Sequence, residues 1–370
     1  MKDKDGLPKI GVIGLKGLPA FGGAATVGEN IIKQLRGNFQ FRVYAIKSHT
    51  QELEYKPDGL NKQVLFRKFP IGKLNVFAYY IKSAFHALFK EKYDLVHLHH
   101  IDGAFILPLL KLKYKVICTS HARPQIAEKW PWYVKFFFSI NERITFIFAD
   151  LVTTVAIPLK DIYSSLTSKV ITYIPNGIDV ELKPTDKEIE YNGYLLFAAG
   201  RIIPLKGLHI LLKSLQKIKY KGKLLVLGDL DQMPAYKEEL LGLASNLDVE
   251  FLGMIKEKGL LLKYITNSKL FIFPSYSENM SIMLLEVASM KTPLVVSNIP
   301  ENCAIFDSSE ALFFKTNDVE DLSEKVKYAL SNEREMKEKT ELAYKRLLTD
   351  FTWAKVSKRY ASLYKGLINK

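Results

Sequence analysis

Short apolar runs alternate with segments of helical spacing along most of the chain. Lys9-Ile10-Gly11-Val12-Ile13 predicts a first strand, Gly14 to Gly23 a Gly/Pro loop, and residues 26–35 a helix. Further strands are expected at 41–46, 64–69, 95–99, 116–120, 151–155 and 170–174, with helical spacing over 75–89. Uninterrupted apolar strands separated by helices predict a parallel sheet covered on both faces. The pattern restarts at Tyr194-Leu195-Leu196-Phe197-Ala198 and continues with strands at 224–227, 249–252, 270–273, 294–297 and 311–314. Between the two series lie Pro175-Asn176-Gly177-Ile178-Asp179 and a charged stretch over 181–192. Turn chemistry followed by a polar run marks a domain boundary. The expected division is 1–180, 181–350 and a C-terminal helix over 351–370, opened by Thr352 and striped by Val356, Tyr360, Leu363, Tyr364 and Leu367. Two Rossmann-like domains of this kind would bind a ligand in the cleft between them.

Composition narrows the class. The chain has 370 residues, 48% apolar and 25% charged, ordinary for a soluble globular protein of two domains. Its two cysteines, Cys118 and Cys303, form neither a disulfide framework nor a metal cluster. Both are expected as reduced core residues, in keeping with the cytoplasm. The N-terminus shows no signal-peptide apolar region, and no run reaches the ~18 apolar residues of a membrane span. Net charge is +14 and uneven: residues 1–180 hold 25 basic and 14 acidic side chains, residues 181–370 hold 28 and 25. A basic half suits nucleic acid, anionic lipid or a phosphorylated substrate. No zinc finger, RNP-like motif or basic run supports nucleic acid. Trp130-Pro131-Trp132-Tyr133-Val134-Lys135-Phe136-Phe137-Phe138 fits either helix packing or a membrane interface.

Candidate chemistry gathers in the second half. Gly200-Arg201-Ile202-Ile203-Pro204-Leu205-Lys206-Gly207 follows a strand and opens a helix. Arg offers a fixed fork of donors, Lys a mobile charge, and a helix start adds backbone N–H groups, all suited to phosphate. Glu278 and Glu286 follow the strand at 270–273, on a stretch expected to be helical. Eight helical residues advance about 12 Å and turn roughly 80° past two full turns. A carboxylate pair acting on one glycosidic bond sits about 5–9.5 Å apart. The two acids therefore suit separate parts of one elongated ligand. In the first half Gly22-Gly23 precedes a helix at the corresponding strand end, where glycine lets a backbone approach a ligand.

The ordered set Gly22-Gly23, His121, Pro175-Asn176-Gly177-Ile178-Asp179, Arg201 with Lys206, and Pro274-Ser275…Glu278-x7-Glu286 resembles the family-4 retaining glycosyltransferases (glycosyl transferases group 1). The resemblance covers nearly the whole chain. It implies the α/β GT-B fold, two Rossmann-like domains facing across a cleft, with the last helix, from Phe351-Thr352-Trp353 onward, crossing back to the first. It implies that Arg201 and Lys206 bind the donor diphosphate and Glu278 the sugar hydroxyls. Glu286 would take the ribose, and backbone N–H groups of Asn279, Met280 and Ser281 the diphosphate or sugar. The Gly253-Met254-Ile255 turn would face the base, with Ile255 counted in the donor site. His121 matches a position near the reacting sugar, and the Gly22-Gly23 loop would close on the phosphates. The implied reaction retains anomeric configuration by front-side attack, without a side-chain nucleophile, metal or cofactor. The expected donor is a nucleotide sugar, UDP-linked. The expected acceptor is a saccharide on a lipid diphosphate, in lipopolysaccharide, O-antigen or capsule synthesis, with the enzyme cytoplasmic and peripheral at the inner face of the membrane.

This chain departs from the family at Asn279-Met280-Ser281, where many relatives carry Gly-Phe-Gly, and at Ala24-Ala25, which lack a nearby acid. Asp229-Leu230-Asp231 only superficially matches a metal-binding Asp-x-Asp. His97, His99 and His100 cluster at a strand end with no spacing for a metal and fit structural or acceptor-side roles. Gly11-x-x-Gly14-x-x-Gly17 lacks the dinucleotide spacing, and no acid ends the second strand, which disfavours a dehydrogenase. The alternatives are a nucleotide-sugar epimerase of the same architecture and a basic nucleic-acid-binding protein. The first would need no acceptor, and the second would leave the Arg, Lys and Glu set without a role.

Overall fold

The computed structural model describes residues 6–19, 23–47, 62–67, 72–126 and 130–369. Two compact units result: one holds the described residues up to Asn176 and those from Trp353 onward, the other is Gly177–Thr352. The first unit begins with β1 (Lys9–Lys16), α1 (Gly23–Leu35), β2 (Gln40–Ile46), β3 (Lys62–Phe66), α2 (Asn75–Lys90) and β4 (Leu95–His99). It continues with α3 (Leu107–Leu110), β5 (Val116–Ser120), α4 (Trp132–Phe148), β6 (Leu151–Thr154), α5 (Ile157–Leu166) and β7 (Ile171–Tyr173). Its seven strands are all parallel in the order β3-β2-β1-β4-β5-β6-β7.

The second unit runs β8 (Leu195–Arg201), α6 (Leu208–Lys217), β9 (Leu224–Asp229), α7 (Pro234–Ala244), β10 (Val249–Gly253), α8 (Lys258–Asn267) and β11 (Leu270–Phe273). Then come α9 (Ile282–Ser289), β12 (Leu294–Ser297), α10 (Pro300–Cys303), β13 (Leu312–Phe314), α11 (Val319–Ser331) and α12 (Glu333–Asp350). Its six strands are parallel in the order β10-β9-β8-β11-β12-β13. The last helix, α13 (Trp353–Ile368), packs in the first unit. Trp353, Val356, Tyr360 and Tyr364 join Ile10, Val12 and Val27 in one core cluster.

Both sheets reverse their winding, the first between β1 and β4, the second between β8 and β11. Ligands of open parallel sheets bind outside the carboxyl ends of strands at such a reversal. In each unit a glycine at that point touches the neighbouring chain. A Cβ on Gly14 (φ +108) would stand 1.9 Å from the His99 carbonyl oxygen, and one on Gly207 (φ +72) 2.0 Å from that of Pro274. Only glycine tolerates both the left-handed backbone and the missing space.

The apolar runs predicted the strands because the sheets are buried on both faces. β4, β5, β11 and β12 are buried at every position. Strand ends differ where backbone pairing continues past the apolar run. β8 extends to Arg201, which pairs in register with Asp229. β1 extends to Lys16, opposite Ala45. Cys303 is a correction to the expected core pair: Cys118 is buried, but Cys303 ends the short α10 and is exposed.

Candidate functional site

The second unit places the Arg/Lys turn against the glutamate loop. β8 ends at Arg201, which is exposed and has no ion pair among the described residues. The chain then makes one tight turn, Pro204–Lys206, and Gly207 enters α6 in the left-handed conformation. The Tyr276 N–H donates to the Leu205 carbonyl at 2.8 Å, joining this turn to the segment after β11. With the backbones so joined, the Lys206 ammonium reaches Glu278 Oε1 at 2.5 Å. Both side chains are largely covered, 23% and 11% exposed. The pair is thus tighter than a loose surface ion pair, whose net contribution is about 0–1 kcal/mol.

One expected geometry needs correction. Glu278 does not lie on a helix with Glu286, because α9 begins only at Ile282. Ser281 stops the helix from extending backwards: its extended backbone and its hydroxyl, which accepts from the Leu284 N–H at 3.4 Å, form an N-cap. The helical offset of about 12 Å for eight residues therefore does not describe the two carboxylates. Asn279 and Glu278 are half-buried in the loop, and Met280 and Ser281 are buried.

Glu286 is 5% exposed and paired with Lys258, the first residue of α8. Burial raises its carboxyl pKa, and the Lys258 ammonium opposes that rise. Ile255 is half-buried after Gly253, which closes β10 with φ +71. Glu301 also lies in this neighbourhood. Its carboxyl is raised by burial, with the Glu278 charge adding to the effect.

The loop carrying Glu278 is braced by side chains that the sequence pattern does not single out. Tyr276 donates its hydroxyl to Asn317 Oδ1 at 3.2 Å. His209 Nε2 then donates to the Tyr276 oxygen at 2.8 Å, and its Nδ1 accepts from the Tyr236 hydroxyl, also at 2.8 Å. Burial lowers the His209 pKa, in keeping with this neutral ring. On the other side Ser297 donates to the Ser275 carbonyl at 2.5 Å, and Asn302 holds Ser297 in turn at 3.0 Å and 3.1 Å. Tyr276 and Ser297 stand next to strand ends, the one signal that could have marked them.

Asp229 and Asp231 are engaged within their own turn. Asp229 accepts from the Asp231 N–H at 3.0 Å and from Gln232 at 2.7 Å, which lowers its pKa. Asp231 pairs with Lys237 at 2.7 Å.

In the first unit His121 follows β5 and is 8% exposed. Its Nε2 lies 3.1 Å from His99 Nδ1, and its ring stacks on His99 at 5.4 Å and tilts over His100 at 5.0 Å. Behind His99, His97 bonds the Tyr364 hydroxyl and Thr119 Oγ1, each at 2.7 Å. Burial holds His97 down to about 3 and His99 and His121 well below the ordinary histidine value. His121 is therefore a neutral hydrogen-bonding ring. Gly23 opens α1 and is exposed, with open space where a Cβ would be; Gly22 lies outside the described residues.

Two family models match consecutive parts of the chain: "Glycosyltransferase Family 4" over residues 21–182 and "Glycosyl transferases group 1" over 179–346. An O-antigen biosynthesis glycosyltransferase of Escherichia coli is 22% identical over 76% of this chain and 81% of its own length. Another Escherichia coli relative, a UDP-Gal:alpha-D-GlcNAc-diphosphoundecaprenol alpha-1,3-galactosyltransferase, is 23% identical over 64% and 66%. Among solved structures, a sucrose-phosphate synthase of Thermosynechococcus elongatus superposes with TM-score 0.81 at 18% identity, covering 98% of this chain and 99% of its own. Anabaena HepE, solved with UDP and glucose, superposes with TM-score 0.78 at 16% identity, covering 97% and 100%.

Proposed function

This chain belongs to the family-4 glycosyltransferases, and we propose that it transfers a sugar from a UDP-linked donor, with retention, to a saccharide carried on a lipid diphosphate. The observation that carries the donor half is the Lys206–Glu278 contact beside Arg201 at the β8–β11 reversal. It puts a cation for phosphate next to an acceptor for sugar hydroxyls.

Arg201 and Lys206 bind the diphosphate and offset the charge that grows on it as the glycosidic bond breaks. Such preorganised charge is usually the largest catalytic contribution. The backbone N–H groups of Asn279, Met280 and Ser281, before α9, take part on the same side. Glu278 accepts from the sugar hydroxyls, and Glu286, paired with Lys258, from the ribose. Ile255 and its turn face the base. An acceptor hydroxyl oxygen forms the new bond on the face the diphosphate leaves. Its proton passes to the departing phosphate oxygen, so neither a metal nor a side-chain nucleophile is needed. His121, neutral, hydrogen-bonds near the reacting carbon.

HepE, whose structure holds UDP, supports the choice of donor base. The diphosphoundecaprenol named for the Escherichia coli relative and the basic first half of this chain support the acceptor class. The setting that fits is envelope polysaccharide synthesis at the cytoplasmic membrane face.

A thermal-shift panel of UDP-, GDP- and ADP-sugars tests the donor assignment, since a ligand of the native state raises apparent stability. A shift with UDP-sugars alone is expected; none with any of the three would sink the reading. Incubating the donor without acceptor separates transfer from epimerisation, which would yield an isomer.

A further inference from the structure

We propose that the outward face of α2 and α4 in the first unit docks on an anionic lipid surface. This rests on the lipid-linked acceptor assigned above and adds the face through which the enzyme reaches it. On α2 the exposed side chains are Phe77, Ile81, Phe85, Phe89 and Lys90. Four apolar residues repeat at intervals of four, one stripe along the helix. The opposite side, with Tyr79, Tyr80, Ser83, Ala84 and Ala87, is buried. α2 is therefore apolar where water should select polar residues. α12 shows the ordinary outcome, with Glu333, Arg334, Lys337 and Glu338 exposed.

α4 repeats the anomaly. Its exposed residues are Trp132, Tyr133, Phe136, Ile140, Arg143 and Ile147, one of them charged. Trp132 and Phe136 are 78% and 62% exposed, and Phe89 on α2 is 73% exposed. The helices are neighbours. Phe77 of α2 stacks on Phe105 at 4.5 Å and meets Phe137 of α4 at 5.1 Å. Exposed apolar surface spread over two adjacent helices marks an interaction site rather than scattered residues.

Charge selects the occupant. α2 contains no acid, and the one acid of α4, Glu142, is buried between Arg123, at 3.0 Å, and Gln125, at 2.5 Å. Lys82, Lys90, Lys135 and Arg143 are the other charged side chains of the two helices. Apolar residues with aromatic rings and a purely basic complement are the makeup of a helix lying in the headgroup plane of an anionic membrane. A second copy of this chain would bring the same cations against themselves. No helix among the described residues is long and apolar enough to cross a bilayer, so the contact is in-plane.

The test is co-sedimentation of the full chain with vesicles of phosphatidylcholine alone and of phosphatidylcholine with phosphatidylglycerol. Binding to the mixed vesicles at low salt, weakened by salt, is expected. The variant Ile81→Asp/Phe85→Asp/Phe136→Asp should lose at least about tenfold of it while keeping its far-UV circular dichroism and its UDP-sugar thermal shift. A milder variant, Lys90→Glu/Arg143→Glu, should lower binding to the mixed vesicles with its folding intact. Wild type that does not sediment with the mixed vesicles overturns the proposal. So does equal binding by both variants, or a wild-type dimer in light scattering that Ile81→Asp/Phe85→Asp/Phe136→Asp splits. Vesicle binding without any nucleotide-sugar shift would instead overturn the donor assignment and leave this face standing.

Discussion

Lys206 Nζ stands 2.5 Å from Glu278 Oε1, although 72 residues separate them. The contact joins the turn after β8 to the loop after β11, at the reversal of the second sheet. If the two hold donor diphosphate and donor sugar, each is needed for turnover. Lys206→Ala and Glu278→Gln should each lower kcat/KM by about 100-fold or more, as loss of a preorganised charge does. Glu278→Gln keeps the shape of the side chain and can still accept from Lys206, so its melting temperature should move less than that of Lys206→Ala. Near-normal rates in both variants would refute the assignment.

Gly207→Ala probes the join itself. The new Cβ would meet the Pro274 carbonyl oxygen at 2.0 Å on a backbone with φ +72. An L-residue in the left-handed region costs about 1–2 kcal/mol before any clash. The urea midpoint should fall, and the UDP-sugar thermal shift should vanish as Leu205 and Tyr276 part. A stable variant with an unchanged shift would show that the turn is not held by this contact.

Lys258→Ala should make donor binding depend on pH. Burial already raises Glu286, and Lys258 counters it. Without Lys258 the carboxyl takes up its proton at a higher pH still. Donor affinity should then begin to fall at a higher pH than in the wild type as the solution is acidified from neutral. Calorimetric titration with a UDP-sugar at two pH values checks it. Parallel pH profiles would exclude Glu286 from the donor site.

The first unit should be acid-sensitive. His97, His99 and His121 are kept neutral by burial, His97 down to about 3. In the unfolded chain each binds a proton near pH 6.5, so the unfolded state holds more protons in the window below. Stability is therefore full above that value and falls as pH drops from about 6.5 toward 3. The slope is about 1.4 kcal/mol per pH unit for each neutral ring. Urea midpoints at about pH 8 and about pH 5.5 measure it, and replacing His97 with Gln should flatten the fall. A midpoint unchanged across that interval would contradict it.

Strand positions were readable because each sheet is buried on both faces, so a strand appears as an apolar run whatever its neighbours. Glycine before a helix and Arg or Lys after a strand likewise have local meaning, which is why Arg201, Lys206 and Gly207 were legible. Glu278 was misplaced onto the helix because the cap that starts α9 is one serine whose role depends on its backbone. Lys258 beside Glu286, and the brace of His209, Tyr236 and Tyr276, were not legible. Their partners lie tens of residues apart and meet only through the strand order.

The chain by itself determined two parallel α/β units and the basic turn of Arg201 and Lys206 after a strand, because period and turn chemistry act over a few residues. Tertiary structure decided which strands flank each reversal, and so which loops meet there. It also decided which side of α2 and α4 faces outward. On both helices the outward positions are largely apolar, and α4 turns Asn141, Glu142 and Thr145 inward, so apolar spacing alone does not mark the side left bare.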